Sequence, residues 1–421
     1  MELIEYGPDI VVEMSDTDAR ALVSASARWR SRLALDRPPI SVTPASEGSY
    51  SIAARDVAGF IKVGNHAVDI APKFLSQDSA GPQWRRALWR FLAYGGGIET
   101  LDDGAGLNVD SSLGVADLLA DIYLASLAGS ATRGFALGYR SHRIQSQFVR
   151  GRLDPRGFAR LLPPTGRVGV ISTSLTRDVP LNRLLKWAGL ELARTVDSTT
   201  RRRRLLEWAN GLEGVAPLPP EPQTVHLSNR HHPHLMRPAE IALMLLNDTA
   251  RSHHDDAREL PGFLWDSEDL FERSVRRLFR EAAQPLSLRV AKRRHKLAKL
   301  NDAVPEHWTF TVPDLDVHDS HRSVLMVDAK YKAVGLDPSA SDMYQVLAAG
   351  RVRGTSSVAL VYPKTSGPAH WWSFSPEGNG LPSRVFIMTL GIEEFATSAR
   401  LDALRGSVRR FIEEATTAPT R

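Results

Sequence analysis

Thr311-Val-Pro-Asp-Leu-Asp-Val317, a polar turn from His318 to Ser323, and Val324-Leu-Met-Val-Asp-Ala-Lys-Tyr-Lys332 together decide how this chain is read. Both flanks are apolar, rich in β-branched and aliphatic residues, so the pattern predicts two strands joined by a hairpin-like turn. Asp328 and Lys330 lie two apart, which on a strand sends both side chains to the same face, while Asp314 comes from the neighbouring strand. Two acids and a lysine then meet at one end of a sheet. Magnesium prefers oxygen ligands and is commonly held by one or two carboxylates, with waters and substrate phosphate completing the shell. Mn2+ is the alternative ion. A lysine beside such a site can orient or activate water, or offset charge developing on a phosphate. The bland alternative is a surface hairpin whose Asp328 and Lys330 form an exposed ion pair worth little to stability.

Composition narrows the classes. At 421 residues the chain exceeds one ordinary core, so two or three domains are expected. A 43% hydrophobic and 24% charged composition is that of a folded globular protein. Cysteine is absent, which excludes disulfides and thiolate metal sites and fits a reducing cytoplasm. No apolar run approaches the ~20 residues a membrane helix needs, and the start lacks a basic-then-apolar signal, so a cytoplasmic protein without membrane contact is expected. The net charge of +5 is mild, but its placement is informative. Arg289, Lys292, Arg293, Arg294, Lys296 and Lys299 crowd into Leu288 to Leu300 without an acid, just ahead of the acidic cluster. A basic strip beside a carboxylate site suits a nucleic-acid backbone. Arg201 to Arg204 read instead as a solvated helical face.

In chain order, residues 1–112 read as β-rich. Short strands are expected at Ile10-Val12, Tyr50-Ile52, Gly59-Val63 and Ala67-Ile70, with a turn at Gly64-Asn65 and extended chain at Asp36-Pro39. A helix from Asp16 to Leu33, capped by Ser15 or Asp16, interrupts them, and a helix from Trp84 to Tyr94 ends at Gly95-Gly96-Gly97. Residues 113–258 read as mostly helical, with apolar positions at helical spacing over Val115–Leu127, Pro180–Val196 and Pro238–Thr249, and a connector over Glu207–Pro222. His231-His232-Pro233-His234 and His253-His254-Asp255-Asp256 read as polar loop residues rather than zinc ligands, because a proline interrupts one and the other is too compact. Residues 259–421 hold a strong helix, Trp265–Ala283, with Ser267 as cap and Glu272 near its apolar edge. The two central strands follow, then a helix over Ser341–Ala349 carrying Gln345, a strand at Ser357–Tyr362, a strand at Arg384–Thr389 and a helix over Glu393–Glu414. No G-x-x-x-x-G-K-[ST] or G-x-S-x-G occurs, so neither a phosphate-cradling loop nor a nucleophile elbow is present in the sequence.

Pro313-Asp314 and Asp328-Ala-Lys330 resemble the motif of the PD-(D/E)xK nucleases, whose core order of helix, strand, strand, helix, strand is also the order expected here. The resemblance extends further. Gly59-Phe-Ile-Lys-Val-Gly64, Val68-Asp-Ile-Ala-Pro-Lys-Phe74, Arg150-Gly-Arg-Leu153, Leu181-Asn-Arg-Leu-Leu-Lys186, Leu270-Phe-Glu272, Val327-Asp-Ala-Lys-Tyr-Lys332 and Asp342-Met-Tyr-Gln345 are similar to the McrC family. That family supplies the nuclease subunit of McrBC-type modification-dependent restriction systems.

The resemblance implies an α/β (α+β multidomain) chain: an N-terminal β-rich region docking on a partner, a helical middle, and a C-terminal restriction-endonuclease-like domain. It implies Mg2+-dependent cutting of double-stranded DNA alongside a hexameric McrB-like AAA+ GTPase whose hydrolysis the subunit stimulates. Asp314, Asp328, the Ala329 carbonyl and Glu272 would then hold the metal, Lys330 would position or deprotonate water, and Gln345 would face the metal or DNA. Arg289, Lys292, Arg293, Arg294, Lys296 and Lys332 would contact DNA. Ala329 stands where the family often has threonine. Two alternatives remain at this stage: a non-catalytic GTPase-activating adaptor that anchors DNA, and a stand-alone nuclease.

Overall fold

The structure is a computed structural model that describes residues 1–63, 66–75, 84–96, 113–154, 167–218, 232–247, 262–299, 308–377, 380 and 382–417. The expected turn at Gly64-Asn65, Gly97, His231 and the His253–Asp256 group lie outside the described residues. The chain divides into two compact units, Met1–Leu118 with Asp248–Arg421, and Leu119–Asn247. It is a mixed α/β protein with several sheets.

The first unit begins with β1 (Glu2–Ile4), β2 (Ile10–Glu13), α1 (Asp16–Arg32), β3 (Ile40–Ser46), β4 (Ser49–Ala54), β5 (Val57–Val63), β6 (His66–Ala71) and α2 (Trp84–Gly95). Ser15 caps α1 by accepting the Asp18 N–H, and Leu22, Ala25 and Trp29 pack with Val12, Ile40 and Ile52 of the β2-β4-β3 sheet. The chain after Pro38-Pro39 is more than extended: it is strand β3, and its Pro44 is tolerated because β3 is an edge strand.

The second unit contains most of α3 (Val115–Arg133), then β7 (Gly138–Ser146), β8 (Arg152–Leu153), β9 (Val168–Thr176), α4 (Pro180–Thr195), α5 (Thr199–Asn210) and α6 (Pro233–Asn247). The expected helices are there, but so is a three-stranded sheet in which β7 pairs with β9 from Gly138 opposite Thr176 to Ser146 opposite Val168. Nearly every β7 side chain is exposed, so the alternation that announces a half-buried strand is missing. Glu207–Asn210 continue α5 rather than forming a connector. The arginines of α5 are not all solvated: Arg201 pairs with Asp121 at 2.7 Å, and Arg202 reaches the Ala193 and Val196 carbonyls. His234 sits on α6, not in a loop, with Nε2 2.9 Å from the Gly134 carbonyl oxygen.

The first unit resumes with β10 (Gly262–Asp266), α7 (Ser267–Ala283), β11 (Arg289–Ala291), β12 (His295–Lys299), β13 (Trp308–Thr311), β14 (Leu315–His318), β15 (Ser323–Ala329), α8 (Ala340–Arg353), β16 (Ser357–Lys364), β17 (His370–Phe374), β18 (Arg384–Gly391) and α9 (Ser398–Thr416). Trp265 belongs to a strand and not to the helix: the Asp266 carboxylate, rather than Ser267, caps α7 by accepting the Glu268 and Asp269 N–H groups. β10 completes a sheet of order β1-β6-β5-β10, where Gly59 at φ 139° lets β5 pass a backbone that a Cβ would strike, 2.0 Å from the Phe263 oxygen. The six-stranded sheet has order β11-β14-β15-β16-β18-β17, antiparallel between β14 and β15 and parallel across β15, β16 and β18. Val346 of α8 packs with Met326, Val358, Leu360 and Ile387 on one face, while α7 and α9 meet through Phe279 and Phe411, ring centroids 6.1 Å apart. The single strand expected over Thr311–Val317 is two strands: β13 pairs with β12, β14 with β15, and Pro313-Asp314 lies at the break. The last helix starts at Ser398 after a 3-10 turn, Ile392–Phe395. Among the described residues no helix is long and apolar enough to cross a membrane.

Candidate active site

β15 runs through the interior of the six-stranded sheet, and Asp328, its penultimate residue, is only 2% exposed. An exposed surface ion pair is therefore not what Asp328 and Lys330 form. Asp314, just ahead of β14, accepts the Ala329 N–H on Oδ2 at 2.9 Å. The next N–H, that of Lys330, goes the other way, to the Val361 oxygen of β16 at 2.8 Å. Since N–H and C=O of one strand residue point to the same side, the Ala329 carbonyl also leaves towards Asp314.

Lys330 Nζ stands 2.6 Å from Asp328 Oδ2, an ion pair whose poor alignment leaves that buried oxygen without a well-directed hydrogen bond. Lys330 Nζ donates to Gln345 Oε1 at 2.9 Å, and Gln345 Nε2 donates to Asp328 Oδ1 at 3.4 Å, so α8 closes the ring from above the strand ends. On α7, Glu272 accepts from Arg276 and from Lys292 Nζ at 2.7 Å, and the same ammonium lies 3.7 Å from Asp314 Oδ1. The structure thus brings Asp314, Asp328, Ala329, Lys330 and Gln345 together, with Glu272 joined to them through Lys292. Lys292, expected in a DNA-facing strip, is built into the acidic cluster. Only its position beside the break before β12 reveals this, and sequence spacing does not.

The electrostatics follow from crowding. Burial, and then the negative charge of Asp314, push the Asp328 carboxyl up to about 6 despite Lys330. Burial works against the Lys330 ammonium, but the close charge of Asp328, with Asp314 and Asp342, holds it above the ordinary lysine value.

The remaining basic residues have other neighbours. Arg289 opens β11 at the edge of the six-stranded sheet. Arg293 lies 3.8 Å from Asp316 Oδ2, Arg294 sits 3.5 Å over the Phe310 ring, and Lys296 4.5 Å over Trp308 on the β12–β13 hairpin. Lys332 turns to Asp342, 2.7 Å away, which also accepts the Tyr362 hydroxyl.

Do these residues suit a divalent cation? Among the described residues no group of three or more His, Asp or Glu side chains could hold a metal alone. Glu272 is occupied by two cations of the chain itself, leaving the two carboxylates Asp314 and Asp328. A pair of carboxylates with the Ala329 carbonyl fits an ion that keeps several waters, as magnesium does.

Residues 52–363, well over half of the chain, match the family described as McrBC 5-methylcytosine restriction system component. The fold is similar to a chain in the refined half-complex from the tetradecameric assembly of Thermococcus gammatolerans McrB AAA+ hexamers with bound McrC. That similarity has TM-score 0.63 and 19% identity, covering 98% of this chain and 99% of that one. A chain of the Thermococcus gammatolerans McrBC complex solved by cryo-EM gives TM-score 0.48 at 21% identity, over 66% of this chain and 86% of that one. Among curated proteins no match was found. The acid pair at the strand ends therefore sits inside a matched segment that reaches from β4 to β16, and the chain belongs to the McrBC 5-methylcytosine restriction system component family.

Proposed function

We propose that this chain is the Mg2+-dependent DNA endonuclease subunit of a McrBC-like restriction system, with a PD-(D/E)xK centre in residues 259–421 and an AAA+ GTPase ring as partner. The convergence of Asp314, Asp328 and Lys330 carries this reading. Asp314, Asp328 and the Ala329 carbonyl would hold the cation, and Glu272 would act from outside them through Lys292. When bound, a divalent ion polarises the scissile phosphate and lowers the pKa of water. Lys330, beside its acids, would position the attacking water or stabilise charge developing on the phosphate. Gln345 fixes that side chain from α8. Arg289, Arg293, Arg294, Lys296 and Lys332 would meet DNA phosphates.

The partner is proposed from family membership and from the solved Thermococcus gammatolerans assembly, in which McrC is bound to McrB AAA+ hexamers. Residues 1–112 would dock on the ring, 113–258 would form the middle and 259–421 the nuclease. A second reading puts the docking surface on the second unit, where Tyr139, Phe148 and Leu175 are exposed apolar side chains on or beside the β7–β9 sheet. The test is co-purification with the products of neighbouring genes, followed by nucleotide-dependent cleavage of modified and unmodified DNA with and without Mg2+. Cutting only with ring, nucleotide and Mg2+ supports the proposal. Cutting without a ring favours a solitary nuclease, and GTPase stimulation without cutting an adaptor.

A further inference from the structure

The nuclease-like motif is wired to the N-terminal strands through the residue between its two lysines. Tyr331 turns away from the acid pair and is 8% exposed, enclosed by Phe74 and Phe271, whose ring centroids lie 5.3 and 5.8 Å from its own. Its hydroxyl donates to Glu5 Oε2 at 3.0 Å, and its backbone carbonyl accepts from Lys73 Nζ at 2.9 Å. Glu5, just past β1 and 1% exposed, also accepts the Lys73 backbone N–H at 3.1 Å. The Lys73 ammonium stands 4.3 Å from the Tyr331 ring centroid and 4.9 Å from that of Tyr6, so three rings and a carbonyl share one cation. A loop tip with one side chain and one carbonyl tied this way has little freedom to rotate.

The consequence falls on Lys330. After β15 ends at Ala329 the backbone leaves the sheet: Lys330 keeps a ladder bond to Val361, and the Lys332 N–H folds back onto the Lys330 carbonyl at 2.9 Å. Tyr331, the next residue, is held from outside the six-stranded sheet: Lys73 donates to its carbonyl and Glu5 accepts its hydroxyl, from 258 and 326 positions away in sequence. We propose that Lys73 and Glu5 are positioning residues for the DxK lysine: by clamping Tyr331 they hold Lys330 where its ammonium meets Asp328 and Gln345. The proposal rests on the nuclease reading for its kinetic arm. It makes the N-terminal strands part of the machinery that sets the cutting geometry.

The test compares Lys73→Met, which keeps the aliphatic stem among the rings but loses donor and charge, with Lys73→Arg, which restores both. Hydrogen–deuterium exchange of residues 328–332 is read on the full chain without DNA or metal, beside kcat and KM for Mg2+-dependent DNA cleavage by the chain combined with the AAA+ GTPase ring and nucleotide. Lys73→Met should exchange faster at 328–332 and lose kcat by roughly 10- to 100-fold at unchanged KM, the effect of a misplacement of an ångström or so. Lys73→Arg should recover most of both. Wild-type exchange in Lys73→Met, or equal defects in Met and Arg variants, overturns the proposal. Should Lys73→Met lose its cooperative unfolding transition, Tyr331→Phe removes only the hydroxyl that reaches Glu5, and wild-type exchange and kcat there likewise overturn it. If the wild type itself does not cut, the nuclease reading fails, and the exchange comparison still decides the clamp.

Discussion

Replacing Asp328 by asparagine should make the metal-free protein more stable, although it removes a carboxylate on which the proposed cutting depends. The Asp328 carboxyl is raised from 3.8 to about 6 by burial and by Asp314, so the folded chain binds its proton more tightly than the unfolded chain. A raised acid contributes stability while protonated and loses it as pH rises through the window from 3.8 to about 6. Above that window the ionised form carries the whole penalty, roughly 2 pKa units or on the order of 3 kcal/mol. The pairing with Lys330 is already contained in this net figure, and at 2% exposure solvent does little to reduce it. Asparagine approximates the protonated shape without titrating. Denaturant unfolding in EDTA at pH 8 should therefore show Asp328→Asn ahead by about 2–3 kcal/mol, the margin shrinking below pH 6. Mg2+ should stabilise the wild type alone, by about 2.7 kcal/mol at a hundredfold excess over its Kd, and close the gap. A variant no more stable than wild type at pH 8 in EDTA would refute the electrostatic picture of the site.

Glu5 offers a parallel case away from the acid pair: burial raises it from 4.5 to about 7, so stability should fall as pH rises through that window, and Glu5→Gln should flatten the profile in pH-dependent unfolding. On the β12–β13 hairpin, Arg294→Ala or Lys296→Ala should weaken binding to unrelated DNA duplexes alike and lower the slope of log K against log salt by about 1 each, read by fluorescence anisotropy. An unchanged slope would remove the hairpin from the DNA surface. Gly59→Ala should cost at least about 3 kcal/mol, because the backbone conformation is open to glycine alone and the added Cβ would lie 2.0 Å from the Phe263 oxygen. A melting temperature within a degree of wild type would show that β10 can move aside.

Much of the acid cluster was legible because period-2 spacing is local: Asp328 and Lys330 share a face in any strand, and the apolar run Val324–Val327 marks that strand as buried. Gln345 followed from the order of elements. What escaped the sequence was set by contacts between distant segments. Lys292 looked like one member of a basic strip, yet the turn before β12 aims it at Glu272 and Asp314. Trp265 read as the first residue of the helix, but pairing of Gly262–Asp266 with Val57–Ile61 makes it a strand residue. β7 was invisible because exposure along nearly its whole length leaves no alternation, and the ties of Tyr331 to Glu5 and Lys73 join segments too distant in sequence for any local pattern to announce.

The most direct test is cleavage of methylated plasmid DNA by this chain assembled with the proposed AAA+ partner, GTP and Mg2+, comparing wild type with Asp328→Ala and Lys330→Ala. If the acid pair and lysine cut DNA, both variants should still bind the partner and the DNA while losing cleavage by at least about a hundredfold. Wild-type cutting rates in both would show that the phosphodiester bond is broken elsewhere.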